Sequence, residues 1–297
     1  MSSQSIKVGM VGLDTSHAVE FTRIFQQLEA TQPDAVIKVV AGFPGGSDLP
    51  ISQQRVPEFT TQMKELGVEI VHDIDSLLDR VDALMLESVD GEVHLEQAQQ
   101  VMSAGKPIFI DKPLANSVDA AFEILRLSNE HSVPCFSASC FRFSSNLLDT
   151  IDNSEIGEII SAETWGPCHL PTGVPDLFFY GLHGIEALYT LMGSGCQEVV
   201  RTHTAKADVM SGIWPNDRIG TYRGLRGGSL DFGATVFGSK RTVTIELGIP
   251  YRELCTAIAN FFRSGIAPVP LQETIEMLQF MEAANRSKQT GTPNPLL

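Results

Sequence analysis

A short segment between the first apolar run and the first amphipathic run holds residues suited to ligand chemistry. It reads Gly12-Leu13-Asp14-Thr15-Ser16-His17, where the dinucleotide fingerprint G-x-G-x-x-G would need glycine at 12, 14 and 17. Only Gly12 is present. Asp14 replaces the glycine that lets the backbone approach a pyrophosphate, and His17 replaces the glycine that packs helix on strand. This segment alone therefore does not predict a nucleotide site.

Asp14 has two further interpretations. Aspartate is a favoured N-cap, so its carboxylate is predicted to accept hydrogen bonds from the first amides of the following helix. A like charge about 4 Å from a phosphate costs roughly 1–4 kcal/mol, which weakens dinucleotide binding by about one to three orders of magnitude. Asp14 and His17 could instead be metal ligands, but no third ligand follows at a fixed spacing. We therefore predict no metal site.

The first half of the chain alternates strand-like and helix-like segments. Short apolar runs predict strands at 6–11, 36–41, 68–71, 83–86, 108–110 and 133–136. Apolar residues at helical spacing predict helices near 18–28, 56–66, 93–102 and 120–127. Continuous apolar strands separated by amphipathic helices are typical of an α/β, Rossmann-like, doubly wound parallel sheet. Such sheets bind ligands beyond the carboxyl ends of their strands.

The pattern changes after about residue 155, where strand-like runs follow one another with short turns. Strands are predicted at 156–165, 197–204, 218–225, 228–236 and 241–247, and helices at 177–192, 253–262 and 272–286. Arg226-Gly227-Gly228-Ser229 and Gly238-Ser239-Lys240 are predicted hairpin turns. We expect a Rossmann-like domain at 1–140, then an α+β domain with an open, mostly antiparallel sheet at 141–297.

The centre of the chain carries an ordered series of motifs. The run Asp82–Asp90 ends in small polar residues and is followed by His94 on a predicted helix, and Ala104-Gly105-Lys106-Pro107 leads into Asp111-Lys112-Pro113. Together these segments resemble the Gfo/Idh/MocA family of glucose–fructose oxidoreductase and inositol dehydrogenase, whose Glu-Lys-Pro motif has a shortened carboxylate here. The resemblance continues through Phe141-Arg142-Phe143, Glu155–Ile159, Gly181–Glu186 and Ala283–Ser287.

The resemblance implies an NAD(P)-dependent oxidoreductase that acts on a sugar, polyol or similar small hydroxy or keto compound. Lys112 would lie beside the nicotinamide, where its ammonium could polarise a substrate hydroxyl and assist proton transfer; a solvent-exposed lysine is the alternative. The implied cofactor-binding residues are Gly12, Leu13, Asp14, Ser16, Ser88, Asp111, Lys112 and Pro113. No acidic residue ends the second strand, so NAD and NADP both remain possible cofactors.

The resemblance also assigns chemistry to the helix predicted at 177–192. The family's acid–base histidine corresponds to His183, whose imidazole could accept an alcohol proton. Without the resemblance, a lone histidine on an apolar helix would be interpreted as a core residue. Phe179 replaces an aspartate that the family often has one turn earlier, and Tyr180 is the candidate to offer a catalytic hydroxyl. Glu186 matches a later acidic position and is predicted to be structural.

Net charge and cysteine content limit the kinds of partner and the cellular compartment that we expect for this protein. The chain has 297 residues, with 21 Lys and Arg against 36 Asp and Glu, so its formal net charge is −15. This acidity disfavours nucleic acid and anionic membrane as partners. Five cysteines without C-x-x-C spacing, together with no recognisable leader or membrane span, predict reduced thiols and a cytoplasmic protein. By analogy, the open sheet predicts a homodimer or homotetramer.

Two functions remain open at this point. The first is an active NAD(P)-dependent dehydrogenase or reductase, favoured by Gly12, Lys112 and His183. The second is a family member with a degenerate cofactor site, which would be a non-redox binding or regulatory protein or would catalyse a different reaction. Asp14, His17, Gly42 and Phe179 favour this second function. Because Lys112 keeps its place before a proline, the first function is preferred.

Overall fold

Six parallel strands form the first sheet in the computed structural model, which describes residues 5–31 and 37–296. The strands are β1 (Ile6–Val11), β2 (Ile37–Phe43), β3 (Glu69–Ile70), β4 (Ala83–Leu86), β5 (Ile108–Ile110) and β6 (Cys135–Ser137). Their order is β3-β2-β1-β4-β5-β6, so the strand order reverses between β1 and β4. Ligands bind beyond the strand ends at such a switch point. The predicted strand start at Val36 lies outside the described residues.

Helices connect these strands, and all but the short α3 were predicted. They are α1 (Ser16–Thr31), α2 (Pro50–Glu65), α3 (Ile74–Leu78), α4 (His94–Ser103) and α5 (Val118–His131). Every residue of β4 and β5 is buried, which is why both strands are continuous apolar runs in the sequence. The predicted doubly wound sheet is therefore confirmed.

A second sheet has seven strands in the order β12-β11-β7-β10-β9-β8-β13. The elements after β6 are α6 (Ser145–Asp152), β7 (Ile159–Pro167), α7 (Gly181–Met192), β8 (Glu198–His203), β9 (Ala207–Trp214), β10 (Arg218–Leu225), β11 (Phe232–Gly238), β12 (Thr242–Leu247), α8 (Tyr251–Ser264), α9 (Leu271–Thr290) and β13 (Asn294–Pro295). Only β7 and β10 pair in parallel, and the other neighbouring strands are antiparallel. The mostly antiparallel character of this sheet is confirmed.

One predicted turn of this sheet is wrong, and two of its strands, β9 and β13, were not predicted. The segment Arg226–Ser229 does not close a hairpin, because β10 pairs with β9 and β7 whereas β11 pairs with β7 and β12. The unpredicted β9 forms a hairpin with β10 through Asn216 and Asp217, at φ of 63° and 57°. Asn and Asp tolerate positive φ, so this turn needs no glycine. The predicted turn at Gly238-Ser239-Lys240 joins β11 to β12.

The chain divides into two compact units, and each unit is built from two separate segments of the sequence. Unit 1 contains the residues up to Ala138 together with Tyr251–Leu271, and unit 2 contains Ser139–Pro250 together with the residues from Gln272 onward. The boundaries 1–140 and 141–297 did not anticipate the return of α8 to unit 1. This helix buries an apolar stripe in unit 1, where Phe261 contacts Phe136 with ring centroids 4.8 Å apart.

Helix α7 covers one face of the second sheet. A Cβ on Gly184 would lie 2.1 Å from the ring of Tyr222, so only glycine allows this close packing of helix on strand. The outward-facing residues of the sheet include three exposed apolar side chains, Ile213, Ile219 and Phe237. In the described part of the chain, no helix has the length and apolar character needed to cross a membrane.

Candidate functional site

The loop after β1 is pressed against the loop after β4. Gly12 has φ of 89°, and a Cβ added there would lie 2.4 Å from the backbone nitrogen of Ser88. Its amide donates to the carbonyl of Phe43 over 3.0 Å, and the Leu13 amide donates to the carbonyl of Pro44 over 2.7 Å. Both amides therefore hydrogen-bond within the protein, where they extend the contact between β1 and β2.

The Asp14 side chain links the loop after β1 to the loop after β4 and to helix α2. Its carboxylate accepts one hydrogen bond from the Val89 amide, which follows β4, over 2.9 Å. It accepts another from the hydroxyl of Ser52 on α2, over 2.6 Å. The side chain is fully buried, and burial raises the pKa of Asp14 although both hydrogen bonds act to lower it.

The predicted capping role of Asp14 is wrong. Helix α1 begins at Ser16, so Thr15 occupies the N-cap position, and its hydroxyl accepts a hydrogen bond from the His17 amide over 3.4 Å. The Asp14 carboxylate makes its hydrogen bonds to Ser52 and Val89 instead, because it precedes the cap and lies against the loop after β4. Ser16, a predicted cofactor-binding residue, is exposed at the start of α1.

His17 is held between a carboxylate and a phenol. Its Nδ1 lies 2.6 Å from Oδ2 of Asp111, and its Nε2 lies 3.1 Å from the hydroxyl of Tyr251 on the returning helix α8. The imidazole also stacks on Phe21, with ring centroids 4.8 Å apart. Both ring nitrogens therefore have protein partners, and the ring orientation is determined from three sides.

Glu87 completes this cluster. It follows β4, is fully buried, and neither of its carboxylate oxygens has a hydrogen-bond partner among the described residues. The same is true of Oδ1 of Asp111. Ligand atoms of His17, Glu87 and Asp111 all lie within 4.8 Å of one another. The sequence showed no third metal ligand at a fixed spacing, because these three side chains come from distant segments.

The pKa values of the two acids shift in opposite directions. Burial raises the pKa of Glu87 well above its ordinary value, the Asp111 charge raises it further, and Lys112 acts to lower it. Burial alone would also raise the pKa of Asp111, but the nearby His17 and its hydrogen bond hold that pKa below its ordinary value. Glu87 is therefore the acid that retains a proton most readily in this cluster.

A buried histidine joins the loops that follow β4 and β5. His94 has Nδ1 2.9 Å from the Pro113 carbonyl and Nε2 2.9 Å from the Ser88 carbonyl. Burial lowers the pKa of His94, and a neutral imidazole can donate only one of these two hydrogen bonds. The Ser88 hydroxyl donates to the side chain of Gln97 over 3.0 Å, so this predicted cofactor-binding residue already has a protein partner.

Seven of the eight predicted cofactor-binding residues follow the carboxyl ends of β1, β4 and β5, and Ser16 begins α1. Those seven are Gly12, Leu13, Asp14, Ser88, Asp111, Lys112 and Pro113. Sequence reasoning missed Glu87, Ser52, Val89 and Tyr251. Glu87 had a signal, since an acidic residue directly after an apolar strand is unusual where a small residue is expected. The other three had none.

A dinucleotide in its ordinary pose does not fit these residues. That pose needs a glycine where Asp14 stands and an open path over the N-terminus of α1 for the pyrophosphate. Here a buried carboxylate bridges the loop after β4 and helix α2 across that path. The amides of Gly12 and Leu13 are bonded to carbonyls after β2.

The second unit holds His183 and Tyr180 in one aromatic group. Nδ1 of His183 lies 2.7 Å from the Ser139 hydroxyl, and its ring lies 6.1 Å from that of Tyr180. Tyr180 also contacts His169 edge-on, with centroids 5.2 Å apart. Asp176, seven residues before His183 in the sequence, forms ion pairs with Arg201 and Lys288. The structure therefore groups Tyr180, His183 and His169 in this unit.

Glu186 supports the segment that contacts His183. It is fully buried, and its carboxylate accepts hydrogen bonds from the Ser139 amide over 3.2 Å and from Nε of Arg142 over 2.7 Å. Arg142 also pairs with Glu273. Glu186 thus has the structural contacts that the sequence predicted.

A parallel sheet with a switch point in unit 1, and a mixed sheet covered by α7 in unit 2, define a protein with a Rossmann-type first unit. Residues 6–139 match the Gfo/Idh/MocA model, described as an oxidoreductase family with an NAD-binding Rossmann fold. The resemblance inferred from the sequence is confirmed for residues 6–139, which match this family over a little under half of the chain.

One curated relative covers part of the chain. A segment of 138 residues is 26% identical to the uncharacterized oxidoreductase YhhX of Escherichia coli (strain K12), over 42% of this chain. The match spans only 40% of that relative's length. Part of the chain is therefore similar to an oxidoreductase.

Solved structures share the fold of the whole chain. A probable dehydrogenase from Thermotoga maritima has a TM-score of 0.82 at 16% identity, over 98% of this chain and 99% of that one. Scyllo-inositol dehydrogenase from Lactobacillus casei, solved with NAD(H) and scyllo-inositol, has a TM-score of 0.79 at 15% identity, over 99% of both chains. These likenesses establish the fold.

Proposed function

We propose that the protein acts on a small hydroxyl- or carbonyl-bearing compound, such as a sugar or polyol, by acid–base chemistry. We further propose that this chemistry uses no NAD(P) seated on the N-terminus of α1. The observation that carries the proposal is the bridge from Asp14 to Val89 and Ser52. The substrate class is supported by fold neighbours that are inositol dehydrogenases.

Both the charge and the hydrogen bonds of Asp14 oppose the binding of a phosphate at this position. A phosphate about 4 Å from the Asp14 carboxylate would be repelled by roughly 1–4 kcal/mol. Moving Asp14 aside would break two hydrogen bonds to a charged group, each worth about 1.5–3 kcal/mol. Either route weakens binding at this position by at least about fivefold relative to a glycine.

Lys112 is the proposed charge-stabilising group of unit 1. It follows β5 at the edge of the sheet where ligands bind, and its ammonium acts on the ionisation of both Glu87 and Asp111. An ammonium at this edge can stabilise the oxyanion formed when a hydroxyl loses its proton or a carbonyl is polarised.

His183 and Tyr180 are the proposed substrate-contacting groups of unit 2. The hydrogen bond between Ser139 and Nδ1 of His183 selects one orientation of the imidazole. A ring held in this way can accept a proton from a substrate hydroxyl, and the Tyr180 phenol can donate a hydrogen bond to substrate oxygen.

A second candidate function is an NAD(P)-dependent dehydrogenase or reductase on the same class of compound. The family match and the position of Lys112-Pro113 after β5 favour it. NAD(P) would supply the hydride chemistry when bound. This function requires Asp14 to leave its two partners, or the dinucleotide to take another path.

Titration with NADH and NADPH, followed by nicotinamide fluorescence, tests the choice. In parallel, sugars and polyols are incubated with the protein, with and without NAD(P), and conversion is followed by NMR. We expect only weak nucleotide binding by the wild type, together with conversion of a compound in the absence of NAD(P). Saturable binding together with conversion only when NAD(P) is present would establish the second candidate instead.

We also propose that the protein is a cytoplasmic homodimer or homotetramer, without nucleic-acid or membrane partners. The exposed Ile213, Ile219 and Phe237 support pairing through the outer face of the second sheet. Five buried cysteines in the thiol form support a reducing compartment. Light scattering of the wild type and of Ile219→Glu tests the interface, since a charge there should shift the protein toward monomer.

A further inference from the structure

We propose that His17, Glu87 and Asp111 form a binding site for one divalent transition-metal ion. The side chains come from the first turn of α1 and from the ends of β4 and β5. Their ligand atoms lie within 4.8 Å of one another. The three residues are 7%, 0% and 2% exposed, so the cluster is not a chance grouping of surface acids.

The unpartnered oxygens point to a ligand. Both oxygens of Glu87 and Oδ1 of Asp111 are buried without any hydrogen-bond partner in the described part of the chain. Buried polar groups in folded proteins are almost always paired, because an unpaired one loses its hydration without compensation. A divalent cation within this cluster would engage these oxygens and balance the two carboxylate charges.

The donor set favours a particular group of metals. One imidazole and two carboxylates suit zinc or manganese, whereas calcium and magnesium prefer oxygen ligands alone. The Tyr251 hydroxyl at 3.1 Å from Nε2 orients the His17 ring and directs Nδ1 toward the carboxylates. Nδ1 now contacts Asp111, so a metal at Nδ1 would displace any proton there to solvent.

This inference does not depend on the proposed function. It rests on His17 and Glu87, which stand where the dinucleotide fingerprint has glycine and where the strand would end in a small residue. Neither residue is assigned a role in the proposed acid–base chemistry. A failure of the metal site would therefore leave the arguments about Asp14, Lys112 and His183 unchanged.

The experiment measures bound metal directly. Chelator-treated wild-type protein is dialysed against Zn²⁺ or Mn²⁺ and then against metal-free buffer, and metal content is measured by mass spectrometry. Titration calorimetry gives the affinity, and thermal melts give the change in Tm. We expect about one ion per chain and a higher Tm with metal, since a ligand that binds only the native state stabilises it.

The variants separate this site from adventitious binding. Glu87→Gln and Asp111→Asn should weaken binding beyond the roughly 10–100-fold that outer-shell changes cost. Glu92→Gln, an exposed acid five residues after Glu87, is the matched control and should bind as wild type does. Wild-type protein that takes up no zinc or manganese, or a Glu87→Gln variant with wild-type stoichiometry and affinity, would overturn the proposal. If one variant fails to fold, the wild-type measurement and the other variant still decide.

Discussion

Oδ1 of Asp14 accepts a hydrogen bond from the Val89 amide over 2.9 Å, although 75 residues separate the two in sequence. The contact joins the loops after β1 and β4, the two strands between which the strand order reverses. In a dinucleotide-binding sheet, this is where the ligand crosses the strand ends. The chain thus places a buried carboxylate at the switch point of the sheet.

Replacing Asp14 should raise dinucleotide affinity. Asp14→Gly removes the charge and the bridge and lets a phosphate approach the backbone, so the Kd for NADH should fall by about tenfold or more, equivalent to roughly 1.4 kcal/mol. Asp14→Asn removes only the charge and should give a smaller gain. Nicotinamide fluorescence at low salt measures both.

Ser52→Ala is the control for this pair of variants. It removes one hydrogen bond but keeps the Asp14 charge, so NADH affinity should not rise as it does in Asp14→Gly. If the wild type binds NADH tightly and both Asp14 variants bind it worse, Asp14 is a cofactor ligand and its interpretation as an obstacle is wrong.

Replacing Lys112 should slow turnover without unfolding the protein. Lys112→Ala removes the positive charge after β5, and the rate of conversion of the identified substrate should fall by about two to four orders of magnitude. Lys112→Arg keeps a charge and should lose less. Undiminished turnover in Lys112→Ala, with an unchanged Tm, would remove Lys112 from the mechanism.

The activity that depends on His183 should fall on the acid side of the pH profile. As a general base His183 must be neutral, so activity should fall at acidic pH, where the imidazole becomes protonated. His183→Asn should flatten that limb, and Ser139→Ala should shift it, because Ser139 contacts Nδ1 over 2.7 Å. A His183→Asn variant that unfolds, as shown by circular dichroism, would instead mark the residue as part of the core.

The stability of metal-free protein should decrease with rising pH because of Glu87. Its pKa is raised in the folded state, so the native protein keeps a proton that the unfolded chain releases above its ordinary value of 4.5. This stabilising contribution is complete below that value and is lost as pH rises through the folded pKa. Each tenfold difference in proton affinity between the folded and unfolded states is worth about 1.4 kcal/mol. Urea melts from pH 5 to 8 in chelator measure the loss.

Glu87→Gln should flatten this dependence, because glutamine has no proton to lose. Glu92→Gln is exposed and should follow the wild-type curve. A steep dependence that persists in Glu87→Gln would assign it to another buried group.

Much of the fold was predictable from the sequence, because the local spacing of apolar residues reflects which side chains are buried. The runs that become β4 and β5 are apolar throughout since both faces are covered, and α1 shows helical spacing because one side packs on the sheet. Strand β9 was missed because Asp208 and Gly212 interrupt its apolar run. Asp208 is buried there in contact with Arg201, a pairing that sequence spacing does not reveal.

By itself, the sequence determined the family resemblance, the parallel sheet and the residues at its strand ends, since these depend on local order along the chain. Only the tertiary structure decided what those residues contact. His17 meets Asp111, 94 residues away, and Tyr251, 234 residues away on a helix that returns to the first unit. The parallel sheet aligns its strand ends at one edge, and α8 packs against α1 and β6. Side chains from distant segments therefore become neighbours through packing, which local spacing does not encode.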